Sequence, residues 1–309
     1  MGKNQIRTVF MGSPEISVPV LKAIAGEYNV VGVVTQPDRE AGRGKKLSVP
    51  AVKTAAEELG IPIMQPVKLR NPESFEQLQS WQPELIVVLA FGQILRNNVL
   101  ELPRFGCINV HASLLPKWRG ASPIQAAILA GDAETGVTIM KMDAGIDTGP
   151  ALASCRIPIA AQDTAASLSE KLGQAGADLI LKTLPGYLSG EILPQAQDES
   201  GATYTHLIKK EDGLLDFNFT AAELERKVRA YNPWPSAYFM IDQNMIKVHQ
   251  AHTCENAEGI PSGKRCIISG IPAITAKDGI LVLDEIQAAG KKPLPGKAFL
   301  AGFRNWKES

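Results

Sequence analysis

Between Thr8 and Ala130 short apolar, β-branched runs alternate with stretches of helical periodicity, and this alternation limits the fold more than any other feature. Thr8–Met11 reads as a strand, Gly12-Ser13-Pro14 as a turn that opens a helix running to about Ala25, and Val30–Thr35 as a buried strand. Val49–Leu59 has helical spacing and stops at Gly60. Pro72–Trp81 predicts another helix, Glu84–Phe91 the most apolar strand, and Cys107–Val110 a further strand. Pro123–Ala130 predicts a helix ended by Gly131-Asp132. Strands separated by helices call for an α/β fold with an open, mostly parallel sheet covered on both faces. Such a Rossmann-like sheet binds its ligands beyond the carboxyl ends of the strands.

The pattern then changes. Residues 164–184 form the longest helical stretch, with Pro185-Gly186 as its expected stop. The polar segment Ser189–Thr205 has little periodicity and reads as a linker. Beyond it short strand-like runs recur at Ala237–Ile241, Met245–Ala251, Lys264–Ser269, Ile274–Ala276 and Ile280–Ile286, which predicts a small OB-type β-barrel. The expected organisation is therefore a catalytic domain over 1–188, a linker over 189–205 and a C-terminal domain over 206–309. A length of 309 residues suits two domains, with enough buried surface to need no disulfide or metal staples.

Lys plus Arg and Asp plus Glu both number 32, so the net charge is zero. That balance argues against a protein coated in basic residues that holds nucleic acid by bulk electrostatics. It leaves local basic clusters open. Residues 206–309 hold 14 Lys plus Arg against 12 Asp plus Glu, so any grip there depends on arrangement. The N-terminus has no apolar stretch of signal-peptide length, and the longest apolar run, Leu85 to Phe91, is too short to cross a bilayer. A cytoplasmic monomer without membrane contact is expected. Cys107, Cys155, Cys254 and Cys266 show no paired framework. His249 and His252 are three apart in a strand-like run, which puts them on opposite faces, so no metal is expected.

The first turn lacks G-x-G-x-x-G, and no Gly-Lys pair sits in a P-loop. H-E-x-x-H and G-x-S-x-G are also missing. Chemistry is instead carried by the segment Cys107–Pro116, which ends a strand and enters a loop. Asn109 and His111, two apart, project from one face of that strand and put an amide donor beside an imidazole. Downstream, Asp143 and Asp147 sit in the glycine-rich turn Met140–Pro150, where each could be a solvated Asx-turn or part of a site mouth. Spacing does not place Asp147 near His111. Arg39, Arg43, Lys45 and Lys46 form a basic loop with glycines at 42 and 44, which composition alone reads as solvated.

Asn109-x-His111-x-Ser113-Leu114-Leu115-Pro116, Arg119-Gly120, Pro123-Ile124-Gln125 and Asp147-Thr148-Gly149 together resemble the folate-dependent formyltransferases. Thr35-Gln36-Pro37-Asp38 with Gly42-Arg43-Gly44-Lys45-Lys46, Asn232-Pro233-Trp234-Pro235, and Gly290-Lys291-Lys292 with Phe299-Leu300-Ala301-Gly302 extend the resemblance over nearly the whole chain. They favour the branch that acts on aminoacylated initiator tRNA. The resemblance implies transfer of a formyl group from 10-formyltetrahydrofolate to the α-amine of methionine on initiator tRNA, for translation initiation. It also implies Asn109, His111 and Asp147 as the catalytic trio and Ser113, Leu114, Leu115 and Pro116 as part of the folate site. Arg39, Arg43, Lys45 and Lys46 become tRNA contacts, and the C-terminal domain a tRNA-binding one. Ala301-Gly302 departs from the Arg-Gly common there, which removes a basic group without touching the chemistry.

The acceptor amine is itself a nucleophile, so no covalent enzyme intermediate is required. Asn109 can stabilise the developing oxyanion, His111 can donate and shuttle a proton, and Asp147, if close, would hold the imidazole tautomer. A sugar-nucleotide formyltransferase is the main alternative reading. A glycinamide formyltransferase would have no use for the region after 205, and a purely RNA-binding module would have no use for the trio.

Overall fold

The computed structural model describes residues 4–41, 46–303 and 306. In chain order the first elements are β1 (Asn4–Gly12), α1 (Val18–Glu27) and β2 (Tyr28–Val34), followed by a hairpin of β3 (Arg39–Ala41) and β4 (Lys46–Ser48). Next come α2 (Ala51–Glu58), β5 (Ile63–Met64), α3 (Pro72–Ser80), β6 (Leu85–Leu89), α4 (Asn97–Leu100), β7 (Cys107–His111) and β8 (Arg119–Gly120). Then follow α5 (Pro123–Ala130), β9 (Glu134–Lys141), β10 (Ala151–Pro158), α6 (Ala165–Ser189) and β11 (Tyr204–Thr205).

Seven of these strands form one sheet in the order β10-β9-β7-β6-β1-β2-β5. Every neighbouring pair from β7 to β5 is parallel, while β9 runs antiparallel to both β7 and β10. The chain order reverses at β1 and β6, so the strands' carboxyl ends open a crevice there. All five residues of β6 and all five of β7 are buried, as expected for strands covered on both faces. Val9, Met11, Val34, Leu78, Ile86 and Val88 share one apolar cluster with Cys107. Each such fully buried aliphatic side chain is worth ~1.5–3 kcal/mol.

Cys107 lies within that cluster with its Sγ–H directed at the Val99 carbonyl, 3.6 Å away. Burial pushes its thiol up to about 12. At pH 8 it is therefore a neutral thiol. Iodoacetamide is expected to spare Cys107 in the native protein and to modify it in guanidinium, as read by peptide mass spectrometry. Native modification of Cys107 would contradict the packing.

Three features differ from the sequence expectation. The antiparallel pair β9–β10 was not anticipated. The helix α6 passes through Pro185 instead of stopping there. Proline removes one backbone bond, but Ile180 and Leu184 are fully buried, and the Tyr187 hydroxyl donates to the Phe105 carbonyl at 2.7 Å, so packing carries the last turn. Residues 189–205 are not a free linker. The described residues fall into two compact units, and the first takes in residues up to 123, 134–158 and 169–205. Within it β11 pairs in parallel with β8, and Ala151 and Gln195 exchange two backbone bonds of 2.8 Å. The polar residues that read as a linker serve those pairings.

The second unit comprises 124–133, 159–168 and the chain from 206. It adds α7 (Ala221–Ala230), β12 (Ala237–Ile241), β13 (Asn244–Cys254), β14 (Arg265–Ile268), β15 (Ile271–Thr275), β16 (Ile280–Ala288), β17 (Leu294–Pro295) and α8 (Gly296–Gly302). Its sheet is antiparallel throughout, in the order β12-β13-β16-β15-β14, with β17 beside β16. The helix α7 opens with a capping box, Thr220 accepting from the Glu223 amide while Glu223 accepts from the Thr220 amide. Leu224, Val228, Phe239, Leu283, Phe299 and Trp306 form this unit's core. Among the described residues no helix is long and apolar enough to cross a membrane.

Candidate active site

The strand β7 ends at the sheet's crevice, and its last residues carry the polar groups. Asn109 and His111 are both buried, on the same face of the strand. Between them lies the carboxylate of Asp147, which spacing alone could not place. Its Oδ1 accepts from Asn109 Nδ2 at 3.3 Å, and its Oδ2 accepts from the Gly120 amide at 2.8 Å and lies 3.6 Å from His111 Nδ1. All three residues implied as the trio are thus brought together.

The other imidazole nitrogen, Nε2, is 3.1 Å from the Trp118 carbonyl. A carbonyl only accepts, so Nε2 carries a proton and donates it there. The Trp118 carbonyl therefore helps to orient the ring through Nε2. Nδ1 is left as the ring nitrogen that faces Asp147.

The loop bearing Asp147 is built by local chemistry. Asp143 accepts from the Gly145 amide at 3.0 Å and from the Thr148 hydroxyl at 2.7 Å, so it is the Asx-turn residue of the pair. Asp147 itself sits in the left-handed region at φ 52°. That conformation costs a non-glycine residue about 1–3 kcal/mol and persists only where neighbours impose it. Gly149 lets the chain turn back: a Cβ there would stand 1.9 Å from the Lys141 carbonyl oxygen. Gly120, at φ 108°, likewise brings its amide to Asp147, and a Cβ would meet the Thr205 carbonyl at 2.5 Å.

The Ser113–Pro116 turn next to His111 is held by its own hydrogen bonds. The buried Ser113 hydroxyl donates to the Lys117 carbonyl at 2.6 Å, and Thr138 Oγ1 donates to the Ser113 carbonyl at 2.8 Å while accepting from the Leu115 amide at 3.1 Å. Ser113 therefore shapes the turn, and the half-buried Leu114, Leu115 and Pro116 are what it presents.

Sequence reasoning quoted Arg119 only as part of a motif, yet it is the most connected side chain of the region. Its fully buried guanidinium donates to Gln197 Oε1 at 3.1 and 2.8 Å, to both Glu199 oxygens at 2.9 and 2.7 Å, and to the Tyr204 hydroxyl at 3.1 Å. The hydrogen bond from Arg119 holds the Glu199 carboxyl below the usual glutamate range. Such planar, multiply bonded guanidinium sites are not replaced by lysine.

Of the four basic residues singled out near the N-terminus, Arg39 is at the base of the β3–β4 hairpin and donates to Gln36 Oε1 at 3.1 Å. Arg43 and Lys45 lie outside the described residues, and Lys46 pairs through its backbone with Ala41. The hairpin's approach is pinned by Asp38, which accepts from Lys53 at 2.6 Å and from Gln65 at 2.7 Å. The Lys53 bond, then the Gln65 bond, lowers the Asp38 carboxyl below its ordinary value of 3.8. A carboxyl lowered on folding stabilises the fold above its unfolded value and ceases to as pH falls through the folded one, so this anchor loosens only below about pH 4. Lys53→Met is expected to move the Asp38 titration part of the way back up, as read by carboxyl-carbon NMR. An unmoved titration would contradict the pairing.

His249 Nε2 is 2.9 Å from Gln287 Oε1 and His252 Nδ1 is 2.8 Å from Asp284 Oδ2, two separate surface pairings. Among the described residues no group of three or more His, Cys, Asp or Glu could hold a metal ion.

Comparison with known proteins adds an independent line. Residues 7–184 match the formyl transferase family model and residues 207–304 that of the formyl transferase C-terminal domain. The methionyl-tRNA formyltransferase of Citrifermentans bemidjiense is 45% identical over 301 residues, covering 97% of this chain and 94% of that protein. That of Geobacter sulfurreducens is 43% identical, again over 97% and 94%. Among solved structures, an N-formyltransferase from Helicobacter canadensis, in complex with folinic acid and dTDP-3-aminofucose, superposes with a TM-score of 0.67 at 19% identity over 92% of this chain and all of that one, which bears on the fold. With two domain models in order along the chain and relatives 43–45% identical over 97% of it, the chain belongs to the methionyl-tRNA formyltransferase family.

Proposed function

We propose that Asn109, His111 and Asp147 carry the family's reaction here, moving a formyl group from 10-formyltetrahydrofolate to the α-amine of methionine on initiator tRNA in the cytoplasm. The observation that supports this most is the Asp147 carboxylate lying between Asn109 Nδ2 and His111 Nδ1 at the carboxyl end of β7. The folate supplies the formyl carbon as an electrophile attached to a nitrogen leaving group. Leu114, Leu115 and Pro116 beside His111, with the exposed Ile146 beside Asp147, offer apolar surface that fits a flat heteroaromatic ring.

Asn109 has two amide hydrogens. One points at Asp147, and the other is free to donate to the formyl oxygen as charge builds on it. His111 has its Nε2 proton committed to Trp118, so the nitrogen that exchanges protons with the reacting groups is Nδ1. Asp147 faces Nδ1 and stabilises the imidazolium formed when that nitrogen takes a proton from the attacking amine, a proton it then passes to the folate nitrogen as the formyl carbon–nitrogen bond breaks. His111 is buried and Asp147 half-buried, which strengthens their electrostatic contact over its value in water. No side-chain nucleophile is needed.

Binding of the tRNA is assigned to Arg39, Arg43, Lys45 and Lys46 and to the unit that follows residue 205. The deciding experiment offers the purified enzyme charged initiator tRNA, an amino-sugar nucleotide and glycinamide ribonucleotide, each with 10-formyltetrahydrofolate. Formylation of the tRNA alone is expected. Formylation of the amino sugar in preference to it would establish the alternative reading.

A further inference from the structure

Asp147 of the trio and Trp118 beside it are both in the left-handed backbone region, at φ 52° and φ 65°, a conformation that is an outlier for a residue as bulky as tryptophan. One supplies the carboxylate, the other the carbonyl that holds His111 Nε2. Both are tied to the same distant stretch of chain, residues 195–205. Gln197 Nε2 donates to the Asp147 carbonyl at 2.8 Å and to the Gly149 carbonyl at 2.6 Å, while Thr203 Oγ1 accepts from the Trp118 amide at 2.8 Å.

The Gln197 amide has only one workable orientation. Its oxygen accepts two N–H groups of Arg119, and its nitrogen donates to two carbonyls. Turning it over would set N–H against N–H and oxygen against oxygen at every contact. The strap does not need these two donors to stay attached. Arg119 still pairs with Glu199 and Tyr204, and β11 still pairs with β8. What the donors reach is the backbone on either side of Thr148, directly where the loop turns Asp147 into the site.

We propose that Gln197 is a positioning residue for formyl transfer: its side-chain amide fixes the backbone of Asp147 and Gly149 so that the carboxylate meets Asn109 and His111. This rests on the reading that Asp147 takes part in the reaction. Braced from Arg119 on one side, the amide transmits a rigid, buried guanidinium to a strained loop. Displacing a reacting group by about 1 Å can cost roughly 100-fold in rate, which sets the size of effect at stake.

The test compares Gln197→Glu, Gln197→Ala, Asp147→Asn and the double variant Gln197→Glu/Asp147→Asn in the full-length enzyme. Glutamate keeps an acceptor for Arg119 and removes both donors to the loop. A merely structural role predicts a lower Tm with the kcat of the folded enzyme unchanged, whereas a positioning amide predicts a loss of kcat as well. Gln197→Glu is expected to lower Tm, because a carboxylate oxygen then faces the Asp147 and Gly149 carbonyls, to keep the KM values for both substrates within about threefold, and, assayed well below that Tm, to lower kcat by about 10- to 100-fold. Gln197→Ala is expected to lower both kcat and Tm. In the residual activity of Asp147→Asn, adding Gln197→Glu is expected to cost much less than it does in the wild-type enzyme, since both act through one group. An inactive Asp147→Asn beside a Gln197→Glu with wild-type kcat overturns the inference alone. So does an undiminished effect of Gln197→Glu in the Asp147→Asn background. A fully active Asp147→Asn overturns the reading beneath it and the inference with it.

Discussion

Replacing Asn109 by alanine is expected to cut kcat by about 10²- to 10³-fold, the usual cost of removing one donor that faces a developing oxyanion. The side chain is buried, in the middle of a strand whose five residues are all buried. Its second partner sharpens the effect. Asn109 Nδ2 also donates to Asp147 Oδ1, and without it the carboxylate keeps only the Gly120 amide and the neighbouring imidazole. His111→Ala is expected to reduce kcat by roughly 10²- to 10⁴-fold, the range for a lost general acid or base. In both variants tRNA affinity should change little, because neither side chain is exposed. Steady-state formylation and tRNA binding by the same preparations read the two quantities separately. Wild-type turnover in His111→Ala would remove the imidazole from the mechanism.

What was legible in the chain follows from how local each determinant is. The βα alternation is written in β-branched runs such as Ile86–Val88 and in their turn residues, and every strand from β1 to β7 that was expected in the parallel sheet is there. The pair β9–β10 was overlooked because Ala151-Leu152-Ala153-Ser154 lacks the β-branched residues that mark a strand, although Val137-Thr138-Ile139 carried the signal. That omission also hid the route by which Asp147 returns to the site, since its loop joins β9 to β10. The helix α7 was not among the expected elements, although Thr220 and Glu223 carry a capping box at its usual spacing.

The pairing of Asn109 with His111 came from strand period alone. The meeting with Asp147 came from the family resemblance, for it depends on pairings 38 residues apart. The Trp118 carbonyl leaves no trace in sequence, because any residue offers a carbonyl and only its left-handed backbone aims this one. Residues 189–205 misled for a related reason. Polar, aperiodic stretches usually face water, whereas Gln195, Gln197, Thr203 and Thr205 use their hydrogen bonds on the chain itself.

Raising salt from about 50 to about 200 mM is expected to weaken tRNA binding by roughly 50- to 150-fold if Arg39, Arg43, Lys45 and Lys46 each neutralise one phosphate, at a slope of about −0.7 to −0.9 per contact. A chain of zero net charge makes this measurable, because no broad positive field adds to the slope. Arg39 lies on the β3–β4 hairpin, whose approach is held to the sheet by the Asp38, Lys53 and Gln65 contacts. Replacing Arg43, Lys45 and Lys46 by glutamine leaves one contact, and the same change in salt should then weaken binding only about threefold. Filter binding across a salt series gives both slopes directly. A slope unchanged by the triple replacement would take the hairpin off the RNA and leave the grip to the unit after residue 205, where Lys264-Arg265 and Lys291-Lys292 are the local clusters in an almost balanced stretch.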